Sequence, residues 1–130
     1  MTPDSAVPAR LPEAGDWTAG RPAIHFQRCG ACGGRWLFAR AFCPSCGNRD
    51  VASLPACGIG TVYAATVVQR APSAELRART PYGLVLVDAD EGFRLMAHGA
   101  PDLAIGARVE ARFVPFGGGL VPYFERKELP

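Results

Sequence analysis

Cys29, Cys32, Cys43 and Cys46 stand in the pattern C-x2-C-x10-C-x2-C, and this spacing carries the clearest chemistry in the chain. The two knuckles read Cys29-Gly30-Ala31-Cys32-Gly33 and Cys43-Pro44-Ser45-Cys46-Gly47. A tight turn brings both sulfurs of a knuckle to one side. The glycine that follows can take a positive φ and aim backbone N–H groups at sulfur. Two facing knuckles make a tetrahedral S4 site that suits Zn²⁺, with iron in a rubredoxin-like site as the alternative metal. Four protein ligands close the coordination shell, so the spacing predicts one structural zinc per chain rather than a catalytic one. Met1 to Gly20 contains no apolar run, which points to a cytoplasmic protein with reduced thiols.

The other chemistry-bearing residues make a weaker case. Cys57 stands apart before Gly58-Ile59-Gly60 with no local base, and is expected as a small buried residue at a strand start. His25 and His98 lie in no recognisable motif, and surface or capping roles are expected for both. Asp88, Asp90 and Glu91 cluster in what reads as a solvated acidic turn. No phosphate-binding or dinucleotide fingerprint occurs, so the residues offer no positive case for an independent active site.

Lys+Arg 14 against Asp+Glu 12 gives a net charge of +2, too little basic excess for binding nucleic acid by bulk charge. All the cations but Lys127 are arginines, the better residue for bidentate capture of a small anion. Gly 15 and Pro 12 together make about a fifth of the chain, which implies short elements and many turns. The uncharged stretch Val51–Gln69 contains Pro55, Gly58 and Gly60 and reads as a linker leading into a buried strand, not a membrane span.

These sites need elements to hold them. The ten residues Gly33–Phe42 between the knuckles, with Trp36, Leu37 and Phe38, are expected to form a short hairpin, as in a zinc ribbon. From Thr61 onward the pattern turns to period two. Thr61–Val68 is apolar on both faces and reads as a central strand. Tyr82–Val87 and Phe93–His98 flank a tight turn at Asp88–Gly92. Ala107–Phe113 alternates, with Ala107, Val109, Ala111 and Phe113 inward, and Leu120–Lys127 ends the set, Pro122 marking an edge or bulge. Five strands in about seventy residues fit a partly open OB barrel. The predicted architecture is mainly β: an irregular extension over 1–25, a rubredoxin-like four-cysteine zinc ribbon over 26–54, and a five-stranded OB-fold over 55–130.

The ribbon followed by Gly58-Ile59-Gly60-Thr61-Val62-Tyr63, Thr66-Val67-Val68, Pro81-Tyr82-Gly83, Asp90-Glu91-Gly92-Phe93-Arg94 and Ile105-Gly106-Ala107-Arg108-Val109 resembles the DUF35 family over roughly Phe26 to Glu125. The resemblance implies a non-catalytic, zinc-binding subunit of an acyl-CoA-processing complex. Its partner would be a thiolase-fold enzyme (thiolase, acyltransferase or aldolase) in a hetero-oligomer, or alternatively a MaoC-like enoyl-CoA hydratase. The subunit would complete or stabilise the partner's CoA-thioester site. Family members usually open with a helix bearing aromatic and basic residues. Pro3, Pro8, Pro12, Gly15, Gly20 and Pro22 interrupt one here, leaving Trp17 as a candidate anchor on a partner.

A CoA ester needs cations for its phosphates. Arg70, Arg77 and Arg79, in the polar loop between Arg70 and Thr80, are the candidate contacts, with Arg126-Lys127 as a second set. Two other classes stand as alternatives. One is a single-stranded nucleic-acid-binding module stacking bases on Tyr63, Phe93 and Phe113. The other is an independent redox or hydrolytic enzyme using iron at the four cysteines.

Overall fold

A computed structural model describes residues 16–71 and 73–127. Three short strands, β1 (His25–Cys29), β2 (Arg35–Trp36) and β3 (Val51–Pro55), form an antiparallel sheet in the order β2-β1-β3. Five longer strands follow: β4 (Ile59–Val68), β5 (Tyr82–Ala89), β6 (Arg94–Gly99), β7 (Arg108–Phe116) and β8 (Gly119–Arg126). They close into a barrel in the order β4-β5-β6-β8-β7, with β7 returning to β4. One helical turn, α1 (Ala74–Arg77), sits in the β4–β5 connection, its Leu76 N–H donating to the Ser73 hydroxyl at 3.2 Å.

The alternation read from the sequence sets the faces. Gly83, Val85 and Val87 on β5 and Leu95, Ala97 and Gly99 on β6 point inward, while Leu84, Leu86, Met96 and His98 point outward. Val62, Val87, Val109 and Phe124 fill the middle of the barrel, each at most 1% exposed. A β-carbon at Gly60 would lie 2.5 Å from the Asp88 carbonyl oxygen, so only glycine lets β4 cross β5 this closely.

The expected mainly-β fold, ribbon then barrel, is what the chain adopts. Several local expectations are corrected. The barrel is closed rather than partly open. Ile59, Gly60 and Thr61 pair with Glu110, Val109 and Arg108, and Val62 exchanges hydrogen bonds with Ala107 and Gly106. Gly33–Phe42 does not fold back on itself. The turn at the first knuckle instead returns Arg35–Trp36 onto β1, opposite Arg28 and Gln27, and the Trp36 indole donates to the Gln27 Oε1 at 2.7 Å. Val51–Pro55 is not a linker but the third ribbon strand, paired with β1 from Cys29↔Val51 to His25↔Pro55.

The second half of β4 is not buried. Tyr63, Ala65, Thr66 and Val67 are exposed because β7 leaves β4 at Val62. Pro122 is in an interior strand, tolerated because β8 meets β6 only at Tyr123 and Phe124. Trp17, in a single 3₁₀ turn (Trp17–Ala19), packs against the barrel's own core. Most of the proline-interrupted extension, residues 1–15, lies outside the described residues.

Phe124 is the largest fully buried side chain in the barrel. Phe124→Ala is expected to cost about 3–5 kcal/mol in unfolding free energy, read from denaturant titration followed by circular dichroism.

Candidate metal centre and the surfaces around it

The four thiols converge. The sulfurs of Cys29, Cys32, Cys43 and Cys46 all lie within 4.8 Å of one another, and the four residues could together hold a metal ion. The Cys29 and Cys46 sulfurs are 3.7 Å apart, and those of Cys32 and Cys43 are 3.6 Å apart. A tetrahedron of Zn–S bonds near 2.3 Å spaces its sulfurs by about 3.8 Å, so the donor set and its size fit zinc.

The local sequence builds this cage. Gly33 and Gly47 adopt φ of 79° and 80°, each closing its knuckle with a hydrogen bond back to the carbonyl of Cys29 or Cys43 at 2.9 Å. The turns aim N–H groups at sulfur: Ala31 and Cys32 to Cys29 at 3.3 and 3.4 Å, Gly34 to Cys32 at 3.4 Å, and Ser45 to Cys43 at 3.3 Å. Such N–H groups stabilise thiolates, the form that ligates metal.

The thiols are not equivalent. The Cys32 N–H, helped by that of Ala31, holds the Cys29 thiol below its usual range. At Cys43 burial opposes ionisation, but N–H groups of Cys46 and Ser45 and the adjacent thiols outweigh it and the pKa falls to about 6. At Cys46 the Asn48 N–H favours the thiolate, yet burial and the three neighbouring sulfurs push the pKa up to about 11. Cys32 is likewise raised: the Gly34 N–H favours its thiolate, but Cys43, burial and Cys29 outweigh it. Four anions in one cage repel, and a divalent cation relieves that repulsion.

The ribbon is seated on the barrel by contacts invisible in the cysteine pattern. Phe26 stacks on Phe93, ring centroids 4.9 Å apart, and Ile24 and Phe26 belong to the barrel core. The Arg35 guanidinium donates to the Glu91 carbonyl, and the Cys57 N–H donates to the Glu91 carboxylate at 2.7 Å. The acidic turn is therefore engaged rather than merely solvated. Asp88 pairs with Arg94 at 2.6 Å, and Asp90 pairs with Arg108 through both carboxylate oxygens at 2.8 Å, which holds its carboxyl below the usual range. A cleft of 410 Å³ lined by Arg35, Asp88, Phe93 and Arg94 marks this junction.

Other expected residues fall elsewhere. Cys57 is exposed rather than in the core, and desolvation of its sulfur together with Glu91 and Asp90 raises its pKa, so it is poorly placed as a nucleophile. His25 is buried at 8% exposure rather than at the surface. His98 stacks on Tyr82 at 5.0 Å and meets the edge of Phe116 at 5.6 Å; burial first, then Arg79, lowers its pKa. Arg79 bonds the Pro115 carbonyl and lies over Phe116, so it braces the β4–β5 connection. Arg70 and Arg77 are exposed. Arg126 ends β8, and the Lys127 N–H donates to the Arg108 carbonyl. Phe93, at 4% exposure, is closed to base stacking, and Tyr63 is covered by the Arg94 guanidinium at 3.5 Å. Among the described residues no helix is long and apolar enough to cross a membrane.

Comparisons with known proteins converge on one group. Residues 54–114 match the family model described as ChsH2, C-terminal OB-fold domain. A DUF35 domain-containing scaffold protein of Methanocaldococcus jannaschii is 31% identical over 91 residues, 66% of this chain and 64% of that protein. The chain thus spans less than two-thirds of that relative's length. The solved Ltp2-ChsH2(DUF35) aldolase aligns with TM-score 0.67 and 29% identity over 80% of this chain and 84% of the matched chain. A DUF35-family protein of unknown function from Sulfolobus solfataricus shares the fold at TM-score 0.53 and 17% identity, over 81% and 76% of the two chains.

Two outcomes are expected. Cys43→Ser should retain less than about half of the metal bound by the unsubstituted chain, measured by elemental analysis after desalting. In NMR titration His98 should titrate below its ordinary value of 6.5, and Arg79→Gln should raise its pKa. Because folding lowers this pKa, the neutral ring contributes stability above the unfolded value, and that stability is lost as pH falls through the folded one.

Proposed function

The chain belongs to the DUF35 family, and we propose that it is the non-catalytic accessory subunit of an acyl-CoA-processing complex, bound to a thiolase-fold enzyme. The observation that carries this is the extended match, over 80% of the chain, to a protein solved as part of the Ltp2-ChsH2(DUF35) aldolase. A relative described as a scaffold protein supports the same role.

The chemistry of the chain agrees with a supporting part. We assign Cys29, Cys32, Cys43 and Cys46 as ligands of one structural zinc. When bound, zinc supplies a tetrahedral cross-link with no open position for water or substrate. The residues around it position and stiffen: Arg35 ties the ribbon to Glu91, and Phe26 seats it on Phe93. The rigid ribbon and barrel would present a fixed surface that completes the partner's thioester site.

For the CoA phosphates, Arg70 and Arg77 are the better candidates within the expected set. Both are exposed, whereas the Arg79 guanidinium is held by Pro115 and Phe116. The proposed domain limits are 26–54 for the ribbon and 55–130 for the barrel, with β3 and Ala56 as the seam: the Ala56 N–H donates to the Ile24 carbonyl.

The test is co-expression with a thiolase-fold protein encoded beside this chain. The two should elute together, and acyl-CoA cleavage or condensation should require both, the chain alone showing no turnover. A partner whose mass, stability and rate are unchanged by the chain contradicts the proposal.

A further inference from the structure

β4 differs from the other barrel strands in two ways that coincide. Among the described residues it pairs beyond Val62 only with β5, which leaves its outer edge from Tyr63 to Val68 open. It is also the only one of the five barrel strands without a charged residue or a proline: Ile59–Val68 reads IGTVYAATVV. Exposed edges are ordinarily guarded by charge, proline or a covering element, because an unpaired row of N–H and C=O groups templates another strand. The guards are present on the other barrel strands, at Asp88, Arg94, Glu110 and Glu125 for example, and missing on this edge.

The outward face beside this edge is apolar. Ala64 lies opposite Leu86, and Leu86 opposite Met96; Thr66 lies opposite Leu84. These residues line a cleft of 220 Å³. Met96 is 62% exposed at its wall, an unbranched side chain that adapts to what packs on it. Charge at the rim is cancelled within the chain, since Arg94 pairs with Asp88 while lying over Tyr63.

We infer that this edge and cleft receive an extended, uncharged, apolar segment of the partner subunit, which adds as a strand along Tyr63–Val68 and seats a side chain against Leu84, Leu86 and Met96. The open backbone dictates an extended occupant, and the cleft dictates an apolar one. A charged segment is excluded because nothing on β4 would pair with its charge once water is displaced. The inference rests on the accessory-subunit proposal and specifies the surface through which the partner is held.

The test compares binding of the co-encoded thiolase-fold protein to the unsubstituted chain, Thr66→Lys, Met96→Lys and, as a ribbon-tip control, Phe38→Ala. All three replaced side chains are exposed, and circular dichroism and metal content verify folding. Each lysine variant should bind at least about tenfold more weakly, with Phe38→Ala changed less than about twofold. Amide exchange at Tyr63–Val68 should slow in the complex of the unsubstituted chain. If the complex forms with equal affinity for all variants and no added protection on β4, this inference is overturned while the accessory role stands. If no complex forms with the unsubstituted chain, both fall. If the chain alone forms dimers that Thr66→Lys dissociates, the occupant is a second copy and the inference is overturned.

Discussion

Four sulfurs gathered within 4.8 Å of one another are the constraint on which the ribbon depends. Its three strands are two to five residues long, and the buried cluster around them is Cys29, Cys43 and Val51 with Trp36 against it. A core of that size cannot offset the entropy of ordering the knuckles, and the affinity of the proposed zinc would supply the difference. Two of the four clustered cysteines are thus also the centre of the ribbon's core.

The ribbon matters because it is fastened to the barrel. Phe26, on the strand that ends in Cys29, and Ile24 just before that strand enter the barrel core, while Arg35 reaches from β2 to the Glu91 carbonyl. The acidic turn receives these contacts and is itself pinned by Arg94 and Arg108. Placement of the cysteines and placement of the barrel surface are therefore one problem. A four-cysteine ribbon fastened to a barrel with one unguarded strand edge is suited to holding another protein in position.

Local chemistry was legible in the residues: the knuckle spacing, the glycines that close each knuckle, the alternation of β7 and the order ribbon then barrel. Features set by long-range pairing were not. Period two in Thr61–Val68 shows a strand but not that β7 departs at Val62, so half of an apolar strand lies exposed. Asp88, Asp90 and Glu91 look like an ordinary turn because their partners are Arg94, Arg108, Cys57 and Arg35, up to 56 residues away. Trp36 followed by Leu37 suggested a local hairpin; the buried Gln27 amide that captures the indole decides otherwise.

The central claim is that a single tetrathiolate metal fixes this architecture, and X-ray absorption at the zinc edge of the purified protein tests it most directly. Four sulfur neighbours near 2.3 Å with no nitrogen or oxygen in the first shell is the predicted spectrum. Protein free of metal, or a shell containing water or other light ligands, would contradict the account.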